Sequence, residues 1–441
     1  MKLSKFNRFI PTGENILAFN GISCGFAELE PSAFEALKAL DNGTLSPEQE
    51  SRLDGMLDEL RHGRFILEDE EDEIRTLKVM NNMRKYETSS LGLTIAPTLA
   101  CNFRCIYCYE GELRPLVMDD LVQQAILDFV STRIKTLQRL GITWYGGEPL
   151  LATEVIYNLS EKLIKLCADH DCKYDASLIT NGWLLSRETA ERLQECQVTM
   201  IQVTLDGPPD VHNARRPLKD GSGTFHRIVE NIAAVTDLFH IVTRINVDTT
   251  NLDRVIELFE FLHERQLADK INPYLGKVTA DTKACADFQT WCYDTSSFAQ
   301  VEIKLRKELE ARGIPIHTLY PQFLTNFCSA TKLHSYVLDP LGRLYKCWNV
   351  IENEKEIVGN ITEHVELNHR LSKWLAINPF DIPECRECDI LPLCAGGCPY
   401  YYCRGEYEKT GRPSCVSWRY HLDDALLLYY QAWKENPTAQ Q

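Results

Sequence analysis

The sequence predicts an α/β protein whose largest part is a partial (β/α)6 barrel. Between about residues 91 and 300, strand-like and helix-like runs alternate strictly, which predicts a parallel sheet with right-handed crossovers. A hairpin with short helices precedes this region, and a cysteine-rich region with a weak apolar pattern follows it. We therefore expect three domains, at residues 1–88, 89–314 and 315–441.

The first domain is expected to be a small winged-helix-like unit. The tripeptide Pro11-Thr12-Gly13 favours a turn between two strands. One helix is expected to begin at Ser32. A second is expected to begin at Ser46, with a capping box to Gln49, and to end near Gly63. The strand-like segments are Phe6–Ile10, Asn15–Phe19 and Phe65–Leu67. A structural cap on the next domain is the alternative interpretation.

The second domain has six strand-like segments, too few for the usual eight-stranded closed barrel. These segments are Leu91–Ala96, Ile142–Tyr145, Tyr174–Ile179, Thr199–Leu205, Ile241–Val247 and Lys270–Tyr274. Helical patterns between them include Asp119–Leu137, Glu154–Ala168, Ser186–Cys196 and Asn251–Gln266. Active sites of parallel α/β barrels lie at the carboxyl ends of the strands. The loop Thr98–Leu113 follows the first strand, so its cysteines are expected at that mouth.

Composition narrows the function classes. The net charge of −16 argues against general binding to a phosphate backbone, so no nucleic-acid partner is expected. No uninterrupted apolar stretch is long enough to cross a membrane. The first sixteen residues lack the apolar core of a secretory signal, which favours a cytoplasmic location.

The chain has 17 cysteines, which in a cytosolic protein do not indicate a disulfide framework. Ten of them fall into two patterned groups, for which metal ligation is the natural interpretation. The scattered ones are most simply buried apolar side chains; they are Cys24, Cys167, Cys172, Cys196, Cys285, Cys292 and Cys403.

The first group is Cys101, Cys105 and Cys108, at CxxxCxxC spacing. Three thiolates can hold three irons of a [4Fe–4S] cluster and leave the fourth iron without a protein ligand. An open iron is a place for chemistry, whereas a cluster that only carries electrons usually has every position filled. A zinc site or buried free cysteines are the alternatives.

This spacing resembles the signature of the radical S-adenosylmethionine (radical SAM) superfamily. In that family the open iron chelates the amino and carboxylate groups of S-adenosylmethionine, and an aromatic residue before the third cysteine, here Tyr107, lies beside the adenine. The resemblance implies one-electron reduction of the cofactor's sulfonium to methionine and a 5′-deoxyadenosyl radical, which abstracts a substrate hydrogen.

Motifs after the next two strands resemble the family's cofactor pocket. The run Gly146-Gly147-Glu148-Pro149 is similar to the GGEP motif, whose carboxylate, here Glu148, could accept hydrogen bonds from the cofactor's amino group. The run Ser177–Gly182 is similar to the TNG segment that contacts the ribose and amino acid portions. The cofactor-binding residues implied here are Gly146, Gly147, Glu148, Pro149, Ser177 and Asn181.

After the fourth strand, Asp206-Gly207-Pro208 with His212 resembles a segment of peptide-modifying members. In those enzymes an arginine four residues after the histidine pairs with the cofactor carboxylate, which implies Arg216. Arg215, the preceding residue, is then not expected to pair with the cofactor carboxylate. Thr204 stands where a serine is common and keeps the hydroxyl group.

The second group resembles the SPASM extension, with the spacing CX13GX4C, a gap, CX2CX5CX3C, a gap and a final cysteine. By resemblance it holds two auxiliary [4Fe–4S] clusters, which makes three clusters in all. One set of implied ligands is Cys385, Cys388, Cys394 and Cys415. The other set is Cys328, Cys347 and Cys398, with Gly342 between the first two.

The second of these sets is one protein ligand short. Cys292 or Cys403 could complete it after an excursion of the chain. The alternative is an open iron that receives a substrate thiolate, as proposed for thioether-forming maturases. The sequence leaves both interpretations open. Zinc knuckles fit this array worse, because the GX4C element would need a separate explanation.

SPASM proteins mostly act on peptides, and the N-terminal unit resembles elements that hold the leader of a ribosomally made precursor at a sheet edge. The expected function is therefore radical maturation of a precursor peptide, leader plus core, with a thioether from cysteine ahead of a C–C cross-link. A flavodoxin or ferredoxin is the expected electron donor. Asp206, Asp339 and several tyrosines are all eligible as the catalytic base, and none of them can be singled out.

Two further functions compete with this one. Sulfatase-maturing relatives usually begin close to the first cysteine motif, whereas about 100 residues precede it here. They also carry an acidic residue directly after the GX4C cysteine, where this chain has Trp348. A non-catalytic iron–sulfur electron carrier is the last alternative.

Overall fold

The computed structural model describes residues 1–110, 114–314, 319–411 and 413–435, without the side chains of residues 283 and 284. The strands are β1 Lys2–Leu3, β2 Asn7–Thr12, β3 Asn15–Asn20, β4 Phe26–Leu29, β5 Ile66–Leu67, β6 Ser90–Ile95, β7 Arg139–Trp144, β8 Lys173–Thr180, β9 Val198–Thr204, β10 His240–Val247, β11 Ile271–Lys277, β12 Ser335–Leu338, β13 Arg343–Tyr345 and β14 Gly359–Asn360.

The α-helices vary from single turns to 18 residues. They are α1 Pro31–Asp41, α2 Pro47–Asp54, α3 Leu57–His62, α4 Glu73–Tyr86, α5 Asp120–Ser131, α6 Thr153–Ala168, α7 Arg187–Glu195, α8 Pro209–Arg215, α9 Phe225–Val235, α10 Val255–Glu264, α11 Thr295–Ala311, α12 His369–Leu375, α13 Pro383–Arg386, α14 Leu391–Cys394, α15 Pro399–Cys403, α16 Glu406–Thr410 and α17 Trp418–Glu435.

The six predicted barrel strands are confirmed as β6 to β11, and they pair in parallel in chain order. Trp144 of β7 pairs with Ile95 on one side and Leu178 on the other, and all three side chains are fully buried. Because consecutive strands run in the same direction, each needs a crossover connection. The loops after the strands therefore meet at one end of the sheet.

The sheet extends beyond the predicted barrel. Strand β12 adds in parallel to β6, and β13 and β14 continue in antiparallel fashion. The turn between β12 and β13 is held by Asp339, whose Oδ1 accepts the backbone N–H groups of Leu341 and Arg343. Gly342 in this turn has φ +74°, and a Cβ there would lie 2.8 Å from Ile361. The GX4C element is thus a β-hairpin.

The predicted helices of the barrel are present, with ends shifted by a few residues. Asp119 caps α5 and Ser186 caps α7, each accepting a backbone N–H with its side chain. Two helices that the sequence analysis did not predict, α8 and α9, lie between β9 and β10. The apolar residues of α9 recur at helical spacing, with Phe225, Ile228 and Ile232 fully buried.

The N-terminal elements form the predicted hairpin, extended by β4 to a three-stranded antiparallel sheet. The capping box of Ser46 and Gln49 is confirmed. The other predicted helix starts one residue earlier, since α1 begins at Pro31, with Glu30 as its N-cap. The helix predicted to run to Gly63 is two helices, interrupted at residues 55 and 56.

The two faces of the N-terminal sheet are buried by different partners. One face packs with Ala36, Leu37 and Leu60 of α1 and α3. The other face contributes a core, which consists of Ile10, Leu17, Phe19, Ile390, Leu393, Cys394, Leu422 and Leu426. The sheet therefore packs against the cysteine-rich C-terminal segment and α17.

The chain divides into two compact units. The first joins Met1–Lys85 with Thr318–Cys328 and Ile377–Gln441; the second joins Tyr86–His317 with Ser329–Ala376. The three domains bounded at residues 88 and 314 stay a prediction. In the described part of the chain, no helix is both long and apolar enough to cross a membrane.

Candidate cofactor and cluster sites

The first cysteine loop follows β6 and is held by backbone bonds to two neighbouring segments. The Ala100 carbonyl accepts the N–H of Glu148 at 2.8 Å, and the Arg215 carbonyl accepts the N–H of Ile106 at 3.0 Å. Burial raises the pKa of the Cys101 thiol to about 12. Burial also raises the pKa of Cys105. Residues 111–113, the end of the predicted loop, lie outside the described residues.

The glycine pair after β7 allows this loop to approach closely. A Cβ on Gly146, which has φ +120°, would lie 2.4 Å from the Thr98 carbonyl oxygen. A Cβ on Gly147 would lie 2.4 Å from the Ala100 carbonyl oxygen. Both distances are far below van der Waals contact, so the cysteine loop can only take this position over glycine.

Glu148 is fully buried, and three donors orient its carboxylate. Its Oε1 accepts from the Leu150 N–H at 3.0 Å and the Thr180 hydroxyl at 2.7 Å, and its Oε2 accepts from the Asn181 N–H at 2.7 Å. Burial raises the pKa of Glu148, and these donors oppose that rise. Pro149 begins the helical turn Pro149–Ala152 that supplies the first donor.

Ser177 and Asn181 occupy different positions on β8 and its following loop. The Asn181 side chain donates to Asn102 Oδ1 at 2.8 Å, which ties the TNG segment to the cysteine loop. Ser177 lies inside the strand, where its hydroxyl shares a hydrogen bond with Thr143 Oγ1 at 3.1 Å. Glu148 and Asn181 are therefore brought together, whereas Ser177 lies further back along the strand.

Tyr107 and Arg216 meet through a hydrogen-bond network at the same end of the sheet. The Tyr107 hydroxyl donates to the buried carboxylate of Asp206. It accepts from Arg216 Nη1 at 2.8 Å and from Asn246 Nδ2 at 3.0 Å. Asn246 on β10 was not predicted, because no short motif marks it. His212, whose pKa burial lowers, accepts the Asp206 N–H through Nδ1.

The two adjacent arginines have different partners. Arg215 forms ion pairs with Asp248 at 2.9 Å and Asp206 at 3.5 Å, and its side chain is 5% exposed. Arg216 is 8% exposed and forms no ion pair within the described residues, and its Nε has no hydrogen-bond partner there. A buried guanidinium without a carboxylate is suited to receive an anionic group.

Four C-terminal cysteines line a single cavity. We call this the four-cysteine site; it comprises Cys385, Cys388, Cys394 and Cys415. The Gly396 N–H donates to Cys394 Sγ at 3.4 Å, and Arg419 Nη1 donates to Cys388 Sγ at 3.1 Å. Burial raises the pKa of Cys385 to about 11 and that of Cys394 to about 12.

The remaining cysteines of the array are divided between the units. Cys328 and Cys398 belong to the first unit and Cys347, two residues after β13, to the second, so this ligand set stays a prediction. Cys292 donates to the Phe288 carbonyl at 3.3 Å, and Cys403 is buried in α15. In the described residues, no three His, Cys, Asp or Glu side chains are grouped closely enough to hold one metal ion together.

Comparison with known proteins identifies the central region. Residues 95–262 match the model of the radical SAM superfamily, and this range contains the first cysteine motif. A serine-type anaerobic sulfatase-maturating enzyme of Bacteroides thetaiotaomicron is 24% identical over 363 residues, which are 70% of this chain and 85% of the relative. A cysteine-type enzyme of Clostridium perfringens is 25% identical over 380 residues, 78% of this chain and 95% of the relative.

This chain is a radical SAM enzyme. Solved structures agree with the fold. The structure of anSMEcpe with bound AdoMet and Cp18Cys peptide superposes at TM-score 0.57 and 19% identity, over 78% of this chain and 99% of that one. Streptococcus suis SuiB bound to its precursor peptide SuiA superposes at TM-score 0.55 and 14% identity, over 94% of this chain and 98% of that one.

The residues at the sheet end fit the cofactors of a radical SAM enzyme, a [4Fe–4S] cluster and S-adenosylmethionine. The cofactor carries a cationic amino group and a carboxylate, and the pocket offers the buried carboxylate of Glu148 and the buried guanidinium of Arg216. Cys101, Cys105 and Cys108 supply the thiolate donors that such clusters take. When bound, the cofactor supplies the radical chemistry.

Neither acidic candidate for a catalytic base is free in the structure. Asp206 pairs with Arg215 and accepts from Tyr107, and Asp339 holds the β12–β13 turn. Both are fully buried. Trp348, in the position after the GX4C cysteine, is 43% exposed and packs 5.5 Å from the Tyr145 ring. Both aspartates thus have hydrogen-bond or ion-pair partners within the fold.

Proposed function

We propose that this radical SAM enzyme acts on a ribosomally synthesised precursor peptide and forms an intramolecular cross-link, a thioether from a cysteine first of all. The two relatives described above are sulfatase-maturating enzymes, and SuiB was solved with a precursor peptide. The likeness to SuiB extends over 94% of this chain, against 78% for anSMEcpe. The non-catalytic carrier is excluded, because the chain is an enzyme.

The observation that carries the proposal is the N-terminal antiparallel sheet, which has two edge strands. An extended leader can add to such an edge by main-chain hydrogen bonds. Strand β2 contains Pro11, which lacks an N–H donor and is typical of an edge that does not accept a further strand. Strand β4, Phe26–Leu29, keeps all its donors, so we assign leader binding to β4.

The thioether is supported by the second predicted ligand set. The resemblance implies only Cys328, Cys347 and Cys398 for a cluster that has four irons, and Cys292, one of the two alternative fourth ligands beside Cys403, donates to the Phe288 carbonyl. An open iron could receive the thiolate of a substrate cysteine. Formation of the thioether then removes two hydrogen atoms from the peptide. A C–C cross-link also removes two hydrogen atoms, both from carbon, and leaves the cysteine unmodified.

Sulfatase maturation is the second candidate function. It is supported by relatives of that name that match 70% and 78% of this chain. The exposed Trp348 in place of the acidic residue argues for a different product. The electron donor, such as a flavodoxin or ferredoxin, and the cytoplasmic location belong to the proposal as well.

The test is anaerobic incubation of the reconstituted enzyme with S-adenosylmethionine, a reductant and two peptides. One peptide is a cysteine-containing precursor encoded beside the gene, and the other is a sulfatase-derived cysteine peptide. We expect the precursor to lose two hydrogen atoms by mass spectrometry and to resist alkylation at one cysteine. A modified but fully alkylated precursor indicates the C–C link.

The control is the same precursor without its leader, which we expect to be modified more slowly. An aldehyde on the sulfatase peptide, trapped with a hydrazide, together with an unmodified precursor would refute the proposal in favour of sulfatase maturation. 5′-Deoxyadenosine formed with neither peptide modified would refute both functions.

A further inference from the structure

We propose that two arginines, Arg419 and Arg8, raise the reduction potential of the cluster at the four-cysteine site. Arg419 belongs to α17, whereas Arg8 belongs to β2 of the N-terminal sheet. The peptide-recognition sheet would then be part of the electrostatic surroundings of an auxiliary cluster. The inference rests on the proposed iron–sulfur ligation and does not depend on which peptide is modified.

Arg419 acts by direct contact. Its Nη1 donates to Cys388 Sγ at 3.1 Å, a hydrogen bond from a cation to a ligand sulfur. Reduction adds negative charge to a cluster. A fixed positive donor on its sulfur therefore stabilises the reduced form and raises the potential.

Arg8 acts through two carboxylates. Its Nε and Nη2 donate hydrogen bonds to the Asp423 carboxylate at 2.6 and 3.0 Å, and its Nη1 donates to the Asp389 carboxylate at 2.8 Å. Asp389 directly follows Cys388, and its Oδ1 lies 4.0 Å from Cys388 Sγ. Asp423 lies one helical turn after Arg419 on α17. Arg8 thus offsets two negative charges that border the Arg419–Cys388 contact.

The N-terminal sheet is held in this position by packing as well as charge. Ile10, two residues after Arg8, shares a buried core with Cys394 of the site and with Leu422 and Leu426 of α17. The side chains of Arg8, Asp389 and Asp423 are 40–46% exposed, so solvent and salt screen their charges. Arg419 is exposed as well, but it contacts a ligand sulfur directly, whereas Arg8 acts through two carboxylates, so we expect Arg8 to have the smaller effect.

The experiment is a redox titration of the full chain, followed by electron paramagnetic resonance. The other proposed clusters are removed by Cys101→Ala, Cys105→Ala, Cys108→Ala, Cys328→Ala and Cys347→Ala. Into this background we place Arg419→Gln or Arg8→Gln. The matched control is Arg386→Gln, which removes the same charge beside Cys385 from a side chain without a hydrogen bond or ion pair in the described residues.

We expect Arg419→Gln to lower the ratio of reduced to oxidised cluster about tenfold at a given potential, a shift of about 59 mV for a one-electron couple. Arg8→Gln should shift it in the same direction by less, and Arg386→Gln should leave it unchanged. High salt should reduce the effect of Arg8→Gln more than that of Arg419→Gln.

An unchanged potential in Arg419→Gln, or an equal shift in Arg386→Gln, would overturn the inference. If Arg419→Gln binds no iron, Arg419→Lys decides by iron content. Iron retained by the lysine variant supports a requirement for the positive charge, whereas iron lost from both variants shows that Arg419 acts by shape and overturns it. Iron binding is measured without any peptide, so failure here is distinguishable from failure of the proposed function.

Discussion

Substituting glutamine for Arg215 or for Arg216 separates folding from cofactor binding at two adjacent positions. Arg215 faces Asp206 and Asp248, whose side chains are 0% and 1% exposed. Its removal leaves two buried carboxylates without their ion-pair partner. Removing one partner of a buried ion pair costs about 3–5 kcal/mol, and we expect Arg215→Gln to lose that much free energy of unfolding.

Replacing Arg216 should have little effect on stability and should weaken cofactor binding. Arg216→Gln loses the 2.8 Å hydrogen bond to the Tyr107 hydroxyl, worth about 1.5–3 kcal/mol for a charged donor. It also removes a buried cation that has no ion pair within the described residues, which offsets most of that loss. We expect a net cost of about 1 kcal/mol or less in stability. Binding of S-adenosylmethionine should weaken at least about tenfold, equivalent to about 1.4 kcal/mol.

Stability is measured on the iron-free protein by anaerobic urea unfolding with tryptophan fluorescence. The chain has two compact units, so the midpoint of the transition that reports buried Trp144 is compared between variants. Affinity is measured on the reconstituted protein by equilibrium dialysis with S-adenosylmethionine. Equal destabilisation by both substitutions, or loss of affinity only in Arg215→Gln, would show that the assignment of the two arginines is reversed.

Three further predictions follow from packing and charge. Gly397→Ala would place a Cβ 1.8 Å from a backbone carbonyl oxygen and should abolish iron binding at the four-cysteine site, whereas Gly411→Ala, with open space around it, should retain iron. Burial raises the pKa of Cys385 to about 11 and of Cys394 to about 12, so folding favours the neutral thiols. That contribution to the stability of the iron-free protein is full below about pH 8.5, the pKa of an unperturbed thiol, and is lost as the pH rises towards 11. In the double variant Cys385→Ser, Cys394→Ser, the urea midpoint should therefore change less with pH over this range. Glu148→Gln leaves one of three buried donors without an acceptor and should cost about 1–3 kcal/mol together with affinity for S-adenosylmethionine, and unchanged dialysis binding would contradict the pocket assignment.

The barrel was predictable because its signals are local. Each strand from β6 to β11 carries its own alternation of apolar residues, and the helix caps at Asp119 and Ser186 depend only on residues three positions away. The failures are local as well. The interruption after α2 falls at its C-cap, Gly55, where the apolar pattern continues without a break and the glycine is the one local signal.

The spacing of the cysteines is enough to predict most of the four-cysteine site. A short run with ligands at fixed intervals allows few backbone paths around one metal centre, so the CX2CX5C spacing alone indicates a common site. The final ligand, Cys415, lies beyond a gap, and its place in the site depended on the resemblance to the SPASM pattern. The structure puts it in the wall of the same cavity.

The sequence alone thus determined the six-stranded barrel, the cysteine groups and the motifs at the strand ends. Tertiary structure decided which arginine is free for a ligand, since Asp206 and Asp248 that neutralise Arg215 come from other loops. It also brought Asn246 to Tyr107 and Arg8 to Asp423, across 139 and 415 residues. Such pairings leave no periodic signal along the chain, because they arise from the packing of distant elements and not from the spacing of neighbours.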